Sequence, residues 1–327
     1  MIIPPKLQPG DTIRVIAPSS SYGAAWITDE VRHKSRKYFE DKGYTLTFGK
    51  YIDEMDEFGS TTIEHRLEDL HDAFADPAVK LILCARGGFN SNQLLPYLNY
   101  DLIASHPKIL CGFSDITALT SAIYAKTGLV TYSGPNYSHF GRDFGMDYTT
   151  RYFEQCLIQD EPIIIKPSKE WGEYPKTDAI DIPISHQNAG WHVIHEGTAQ
   201  GTLLGGNLCT FNLLQGSPYF PDIRGSILFL EDDHESVPTT FDRDLTSLIH
   251  QPGFRDVRGL VIGRFESGSG MTTDLLERII AGKRELNTLP ILAQADFGHT
   301  RPMITYPVGV NVSLIAGTPS SIRLPQH

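Results

Sequence analysis

Several short stretches of this chain put nucleophile, acid and base side chains where strand-like runs end. The first is Lys108-Ile109-Leu110-Cys111-Gly112-Phe113-Ser114-Asp115-Ile116-Thr117. An apolar run closes at Gly112, and a helix-like segment from Ile116 to Thr127 follows, stopped by Gly128. A serine on such a strand-to-helix turn lifts its hydroxyl above the sheet edge, where backbone N–H groups and the helix dipole converge. That presentation suits a nucleophile. The commonest elbow reads Gly-x-Ser-x-Gly, whereas Ile116 holds the last position here. Ser114 equally suits a helix N-cap, so the stretch alone leaves both roles open.

Three other stretches bear on that choice. Arg86-Gly87-Gly88 follows the apolar run Leu81 to Ala85, and paired glycines let backbone amides approach a substrate oxygen, although a plain β-turn has the same composition. Ile227-Leu228-Phe229-Leu230 runs into Glu231-Asp232-Asp233-His234-Glu235. A carboxylate at that strand end can orient an imidazole; a solvated acidic turn or a metal-binding cluster are the alternatives. Ala295-Asp296-Phe297-Gly298-His299-Thr300-Arg301-Pro302 places His299 in a loop after a strand, a position from which a general base can work.

The elements that must carry these residues alternate along the first half. Strands are expected at Thr12–Ala17, Tyr44–Phe48, Leu81–Ala85 and before Ser114, with helices at Thr28–Lys42, Thr62–Ala75 and from Asn92 to Leu98. Strand–helix alternation argues for an α/β fold with a doubly wound parallel sheet, and ligands bind such sheets at the carboxyl ends of the strands. From about Asp160 to Ile194 the pattern fails, and the residues there (Trp171, Tyr174, Trp191 among them) read as a linker with a long loop. Further β-type runs and the helical stretches Thr240–His250 and Thr272–Glu285 suggest a second, smaller domain of mixed sheet. The expected organisation is residues 1–165, a linker and loop over 166–194, and a second domain over 195–327.

Composition removes several function classes. The 327 residues suit two domains at roughly 150 residues each. A formal net charge of −11 and no basic cluster disfavour nucleic acid as a partner. No apolar run has membrane-spanning length, so no membrane partner is expected. The scattered Cys84, Cys111, Cys156 and Cys209 read as reduced thiols of a cytoplasmic protein. Neither cysteines nor histidines have metal-ligand spacing, so no metal and no cofactor are expected.

Taken in order, Pro5-x-Leu7-x-Pro9-Gly10-Asp11, Ile16-Ala17-Pro18-Ser19, Ala85-Arg86-Gly87-Gly88, Gly112-Phe113-Ser114-Asp115, Gly205-Gly206-Asn207-Leu208, Leu230-Glu231-Asp232 and Gly298-His299 resemble the LD-carboxypeptidase family of serine peptidases over almost the whole chain. That family comprises murein tetrapeptide carboxypeptidases and microcin C immunity proteins. The resemblance implies an N-terminal flavodoxin-like α/β domain, a C-terminal swivelling β/α domain, and often a homodimer. It implies a triad of Ser114 as nucleophile, Glu231 as orienter and His299 as base, with an oxyanion hole from the amide of Asp115 and that of Gly88 or, as the alternative, Gly87. Ser91-Asn92-Gln93-Leu94-Leu95-Pro96-Tyr97-Leu98 and Trp171 look more like the microcin-immunity branch, in which such a tryptophan stacks on a nucleotide and the residue matching Asn207 contacts substrate. Glu235 stands where that branch carries a basic residue, and an acid there fits a substrate with an amino group. The resemblance thus implies a metal-independent serine hydrolase acting on an amide next to a free carboxylate, in a murein peptide, another small peptide or an aminoacyl-nucleotide. A non-catalytic small-molecule binder on the same sheet, with Ser114 as a cap, is the rival.

Overall fold

A computed structural model describes residues 1–24, 27–173, 184–325 and 327. In chain order its first elements are β1 (Thr12–Ile16), α1 (Asp29–Glu40), β2 (Thr45–Phe48), α2 (Ile63–Ala75), β3 (Val79–Cys84), α3 (Tyr100–Ser105), β4 (Ile109–Gly112), α4 (Thr117–Thr127), β5 (Thr131–Ser133) and α5 (Met146–Leu157). The remainder are β6 (Ile163–Ile165), β7 (Glu170–Glu173), β8 (Ile184–Gln187), β9 (His192–His195), β10 (Gly197–Asn207), α6 (Leu208–Asn212), β11 (Ser226–Glu231), α7 (Pro238–Ile249), β12 (Gly259–Gly263), α8 (Thr273–Ala281), β13 (Ile291–Ala295), β14 (Tyr306–Val308), β15 (Asn311–Ala316) and β16 (Ser321–Leu324).

The helices begin where short hydroxyl side chains can satisfy the first amides. Thr28, Thr62 and Thr272 accept from Val31, His65 and Leu275 at the starts of α1, α2 and α8. Helix α4 ends at Gly128 in the left-handed region, φ 72°. Every residue of α4 from Thr117 to Ile123 is buried, because the helix lies between two layers and has no wet face until its last turn.

The first sheet has the order β14-β5-β4-β3-β1-β2. Strands β1 to β5 are parallel in the flavodoxin order 2-1-3-4-5, and β14 joins β5 antiparallel at the edge. The second sheet has the order β6-β16-β15-β10-β11-β12-β13-β9, with β10 to β13 parallel and antiparallel partners on both flanks. Each sheet borrows a strand from the other part of the chain. Strand β6, within the stretch expected to close the first domain, pairs with β16, and β14 returns to the first sheet.

Two expected elements differ. The segment read as linker and loop holds the β7–β8 hairpin and β9, so its described part is not structureless. All four residues of β8 are exposed, and a strand with no buried face carries no apolar alternation to reveal it. The helix expected from Asn92 is a 3₁₀ segment, Ser91–Tyr97, containing Pro96. Tyr174 lies outside the described residues.

The sheets meet at the start of α4. A Cβ on Gly206, near the end of β10, would stand 2.5 Å from Thr117 Oγ1, and the Asn207 amide donates to that oxygen at 3.0 Å. This close approach brings the carboxyl ends of β3, β4, β10, β11 and β13 to one crevice.

Candidate active site

Ser114 occupies the turn between β4 and α4 with φ 64°, one of two non-glycine residues with positive φ among those described. An L-residue held there is strained by about 1–2 kcal/mol. Its hydroxyl does not cap a helix: neither the 3₁₀ turn Ser114–Ile116 nor α4 has a side-chain cap bond. Instead Ser114 Oγ lies 3.0 Å from His299 Nε2. The cap reading is therefore replaced by a bent-turn serine facing an imidazole.

His299 follows β13, and Gly298 (φ 97°) turns the chain so that the ring points back into the crevice. A Cβ on Gly298 would meet Glu231 Oε2 at 2.4 Å, so only glycine leaves room for the carboxylate. Glu231 is the last residue of β11 and 3% exposed; its Oε2 lies 2.7 Å from His299 Nδ1. Burial alone would push the imidazole down. The charge and hydrogen bond of Glu231, helped by Asp233 and Glu266, outweigh that and raise His299 to about 9.

Asp115 is buried, and its carboxylate accepts from Ser19 Oγ at 2.5 Å and from the Ser91 amide at 2.8 Å, tying the turn to the loops after β1 and β3. Gly87 packs on the nucleophile turn: a Cβ there would stand 2.9 Å from Ser114 Cβ. Gly88 borders both cavities that open beside Ser114. A Cβ on it would lie 2.3 Å from Ser20 Oγ and 2.4 Å from Ser19 Oγ.

One cavity, of about 240 Å³, is lined by Ser114, Asp115, Asn207, Asp232, Asp233 and Glu235. Asn207 caps α6, accepting from the Thr210 amide at 3.0 Å, and donates to Asp232 Oδ1 at 3.1 Å. Burial and then the charge of Glu231 raise the Asp232 carboxyl to about 7. The other cavity, of about 310 Å³, contains His299 with Arg86, Arg142, Arg301 and His139.

Of the residues singled out in the sequence, Ser114, Glu231, His299, Gly88, Asp115, Asn207 and Glu235 come together in this crevice. Trp171 does not. Its ring stacks on His186 (centroids 4.6 Å apart), lies under the Arg264 guanidinium at 4.7 Å, and borders a separate cavity of about 620 Å³. Arg142 and His139 lie in a stretch that has no motif, so sequence reasoning passed over them. Arg301 stood in a quoted motif, two residues after His299, without receiving a role. Among the described residues no group of three His, Cys, Asp or Glu side chains is arranged as a metal site, and no helix is long and apolar enough to cross a membrane.

The chain as a whole is similar to known proteins. The family model described as the LD-carboxypeptidase N-terminal domain matches residues 13–134, and that of the C-terminal domain matches residues 200–314. A Bacillus subtilis relative bearing a carboxypeptidase name is 48% identical over 324 residues, covering 98% of this chain and 99% of its own. The microcin C7 self-immunity protein of Escherichia coli is 33% identical over 323 residues, covering 93% of this chain and 90% of its own. A solved MccF-like protein from Bacillus anthracis superposes with a TM-score of 0.97 at 45% identity, with both chains covered completely.

Proposed function

The chain belongs to the LD-carboxypeptidase family and is a serine-type carboxypeptidase, and from that premise we propose that Ser114, His299 and Glu231 carry its reaction. Ser114 Oγ attacks the scissile carbonyl while His299 Nε2 takes its proton. Glu231 fixes the ring through Nδ1 and stabilises the imidazolium that forms. The amides of Gly88 and Asp115 hold the oxyanion. His299 then hands its proton to the leaving amine, and water attacks the acyl-enzyme by the same path in reverse.

The observation that supports this most is the continuous contact Ser114 Oγ–His299 Nε2–Nδ1–Glu231 Oε2, at 3.0 Å and 2.7 Å, with the serine in a strained turn. A binder would have no need to hold a serine at positive φ against an imidazole.

For the acyl side we propose a substrate residue carrying an amino group. The cavity of about 240 Å³ has Asp232, Asp233 and Glu235 in its lining and neither Lys nor Arg among its described lining residues. A murein-type peptide with a free side-chain amine fits that charge, whereas an amide joining an amino acid to a nucleotide is the second reading, favoured by likeness to microcin-immunity structures. Trp171, bordering another cavity, gives the second reading no contact at Ser114. A cytoplasmic homodimer belongs to the same proposal on family resemblance, and sedimentation of the purified chain tests the dimer. Turnover of a tetrapeptide and of an aminoacyl-nucleotide by wild type and Ser114→Ala decides between the substrates. Turnover of either substrate that is undiminished in Ser114→Ala contradicts the assignment.

A further inference from the structure

The loop that carries His299 runs from the end of β13 to β14 and has no helix or strand of its own. Its base is closed by the Ile304 amide, which donates to the Asp296 carbonyl at 2.8 Å. Phe297 anchors it by packing against Phe229 and Tyr306. A general base needs more than an anchor. Its geometry must be held to about 0.5 Å, by supporting hydrogen bonds as well as packing.

One segment, the β7–β8 hairpin with its flanks, supplies such bonds on both sides of His299. Three residues before it, the Asp296 carboxylate accepts from Ser168 Oγ at 2.7 Å and from the Ser168 amide at 3.1 Å. Asn188 Nδ2 and Trp191 Nε1 also donate to it, each at 3.1 Å. Two residues after His299, the Arg301 amide donates to Gly172 O at 2.8 Å and the Gly172 amide to Arg301 O at 2.7 Å. We infer that Asp296 is a positioning residue which, with Gly172 at the other shoulder, clamps the loop so that His299 is aimed between Ser114 and Glu231. The inference rests on the reaction proposed above and adds the device that orients its base.

Other features agree. Asp296 is 1% exposed and Arg264, whose Nη2 lies 3.6 Å from Oδ1, is 5% exposed. A buried ion pair is a poor source of stability beside apolar side chains of similar size, but a fully bonded one fixes positions. The hairpin strands bury no apolar side chain, since β8 is exposed and only Gly172 and Glu173 of β7 are buried. Their contribution is directed polar contact. The approach to the loop is also strained. Gln294, at φ 60°, is the second described non-glycine residue with positive φ, beside Ser114. Arg264 holds it, donating from Nη2 to its carbonyl at 2.9 Å and from Nη1 to its Oε1 at 3.0 Å. Such strain persists where neighbours over-determine it. The same guanidinium donates to Asn188 Oδ1 at 3.1 Å, joining the bent end of β13 to the residue that also holds Asp296.

The test measures kcat, KM and the pH limb of kcat/KM in wild type, Asp296→Asn, Gly172→Ala, Trp191→Phe and Ser185→Ala, each well below its unfolding temperature. Asp296→Asn keeps the shape but turns an amide against donors. Gly172→Ala changes no charge, yet its Cβ would collide with the Ile184 carbonyl and disturb β7 where it meets Arg301. Each should lower kcat by about 100-fold with KM within about 3-fold. Each should also move the limb to lower pH, because a ring that slips from Glu231 loses the group that raises it. Trp191→Phe removes one of the donors and should act in the same direction by about 5-fold in kcat. Ser185→Ala loses a bond inside the hairpin, to Glu170, and should match wild type. The charged and titratable groups around His299 (Glu231, Asp233, Glu266, His139, Arg142 and Arg301) are the same in every variant. Asp296→Asn removes a charge of its own, so the limb of Gly172→Ala isolates the geometry. A merely structural role would lower stability without moving that limb. An unmoved limb in folded Gly172→Ala, or a rise in KM alone, overturns the clamp while leaving the triad in place. If Gly172→Ala does not fold, Trp191→Phe, equally neutral, decides by the same criterion. If Ser114→Ala turns over substrate as fast as wild type, the proposed reaction falls and the clamp falls with it.

Discussion

Ser114 Oγ and His299 Nε2 are 3.0 Å apart although 185 positions separate the residues in the chain. One comes from the turn after β4 in the first sheet and the other from the loop after β13 in the second. Their contact exists only because the sheets dock closely at Gly206 and Thr117.

Docking is therefore the first thing to disturb. Gly206 has φ 141°, and an added Cβ would press on Thr117 Oγ1 at 2.5 Å. Gly206→Ala should lower kcat by roughly 10-fold or more by misplacing His299 relative to Ser114, with a stability loss of about 1–3 kcal/mol. Kinetics and thermal unfolding measured side by side check it; normal kcat with lowered stability would show that docking tolerates the shift.

A second expectation concerns pH. His299 must be neutral to accept the serine proton, and Glu231 holds it up to about 9. The kcat/KM profile should therefore rise with pH along a limb whose apparent pKa lies above 6.5 and at most near 9. In Glu231→Gln the main raising charge is gone while burial remains, so the limb should move to lower pH as the maximum rate falls. The same shift acts on stability. A histidine whose folded pKa exceeds its unfolded value stabilises fully below about 6.5, and this contribution is lost as pH rises towards about 9. Its size is on the order of 3 kcal/mol. Denaturant unfolding of wild type and His299→Gln across that window should converge at the alkaline end.

The strain at Ser114 can be read separately from its chemistry. Ser114→Ala and Ser114→Gly both remove the hydroxyl, so their difference reports the backbone at φ 64°. Glycine should be the more stable by about 1 kcal/mol. Both variants should retain no more than a small residue of activity, roughly 10³-fold or more below wild type. Equal stability would mean that the turn relaxes.

Gly298 is expected to be intolerant for a different reason. Its φ of 97° and the 2.4 Å approach of a would-be Cβ to Glu231 Oε2 leave Gly298→Ala no place for both side chains. The variant should lose kcat roughly as Glu231→Gln does, because the carboxylate is displaced from Nδ1. Matching pH profiles of the two variants would link the effects.

The sequence carried much of this in local signals. Threonines 28 and 62 mark helix starts, Gly128 marks a helix end, and buried runs such as Val79–Cys84 mark central strands. Ser114, Glu231 and His299 stood out as candidates because each lies at or after the end of an apolar strand, where sites form in parallel sheets, and their roles as a triad came from the family resemblance. What stayed hidden was non-local or lacked a pattern. Nothing in Ile163–Ile165 says that it pairs with β16, nor in Tyr306–Val308 that it returns to β5, because such pairings are chosen by packing between distant parts. Strand β8 is exposed throughout and β7 buries only Gly172 and Glu173, neither of them apolar in side chain, so both read as loop. The family resemblance implied that Trp171 stacks on a nucleotide, and its own stacking on His186 appears only in three dimensions. The arginine cavity draws Arg86, Arg142 and Arg301 from three separate loops, which no spacing rule connects.

The central claim, that Ser114 is a nucleophile activated by His299, is tested most directly by covalent labelling. An uncharged fluorophosphonate incubated with the purified chain should add one adduct, which peptide mass mapping should locate on Ser114. Labelling should vanish in Ser114→Ala and slow by roughly 10³-fold or more in His299→Ala. An unlabelled Ser114 in a preparation that turns over substrate, or an adduct that forms as fast without His299, would contradict the account.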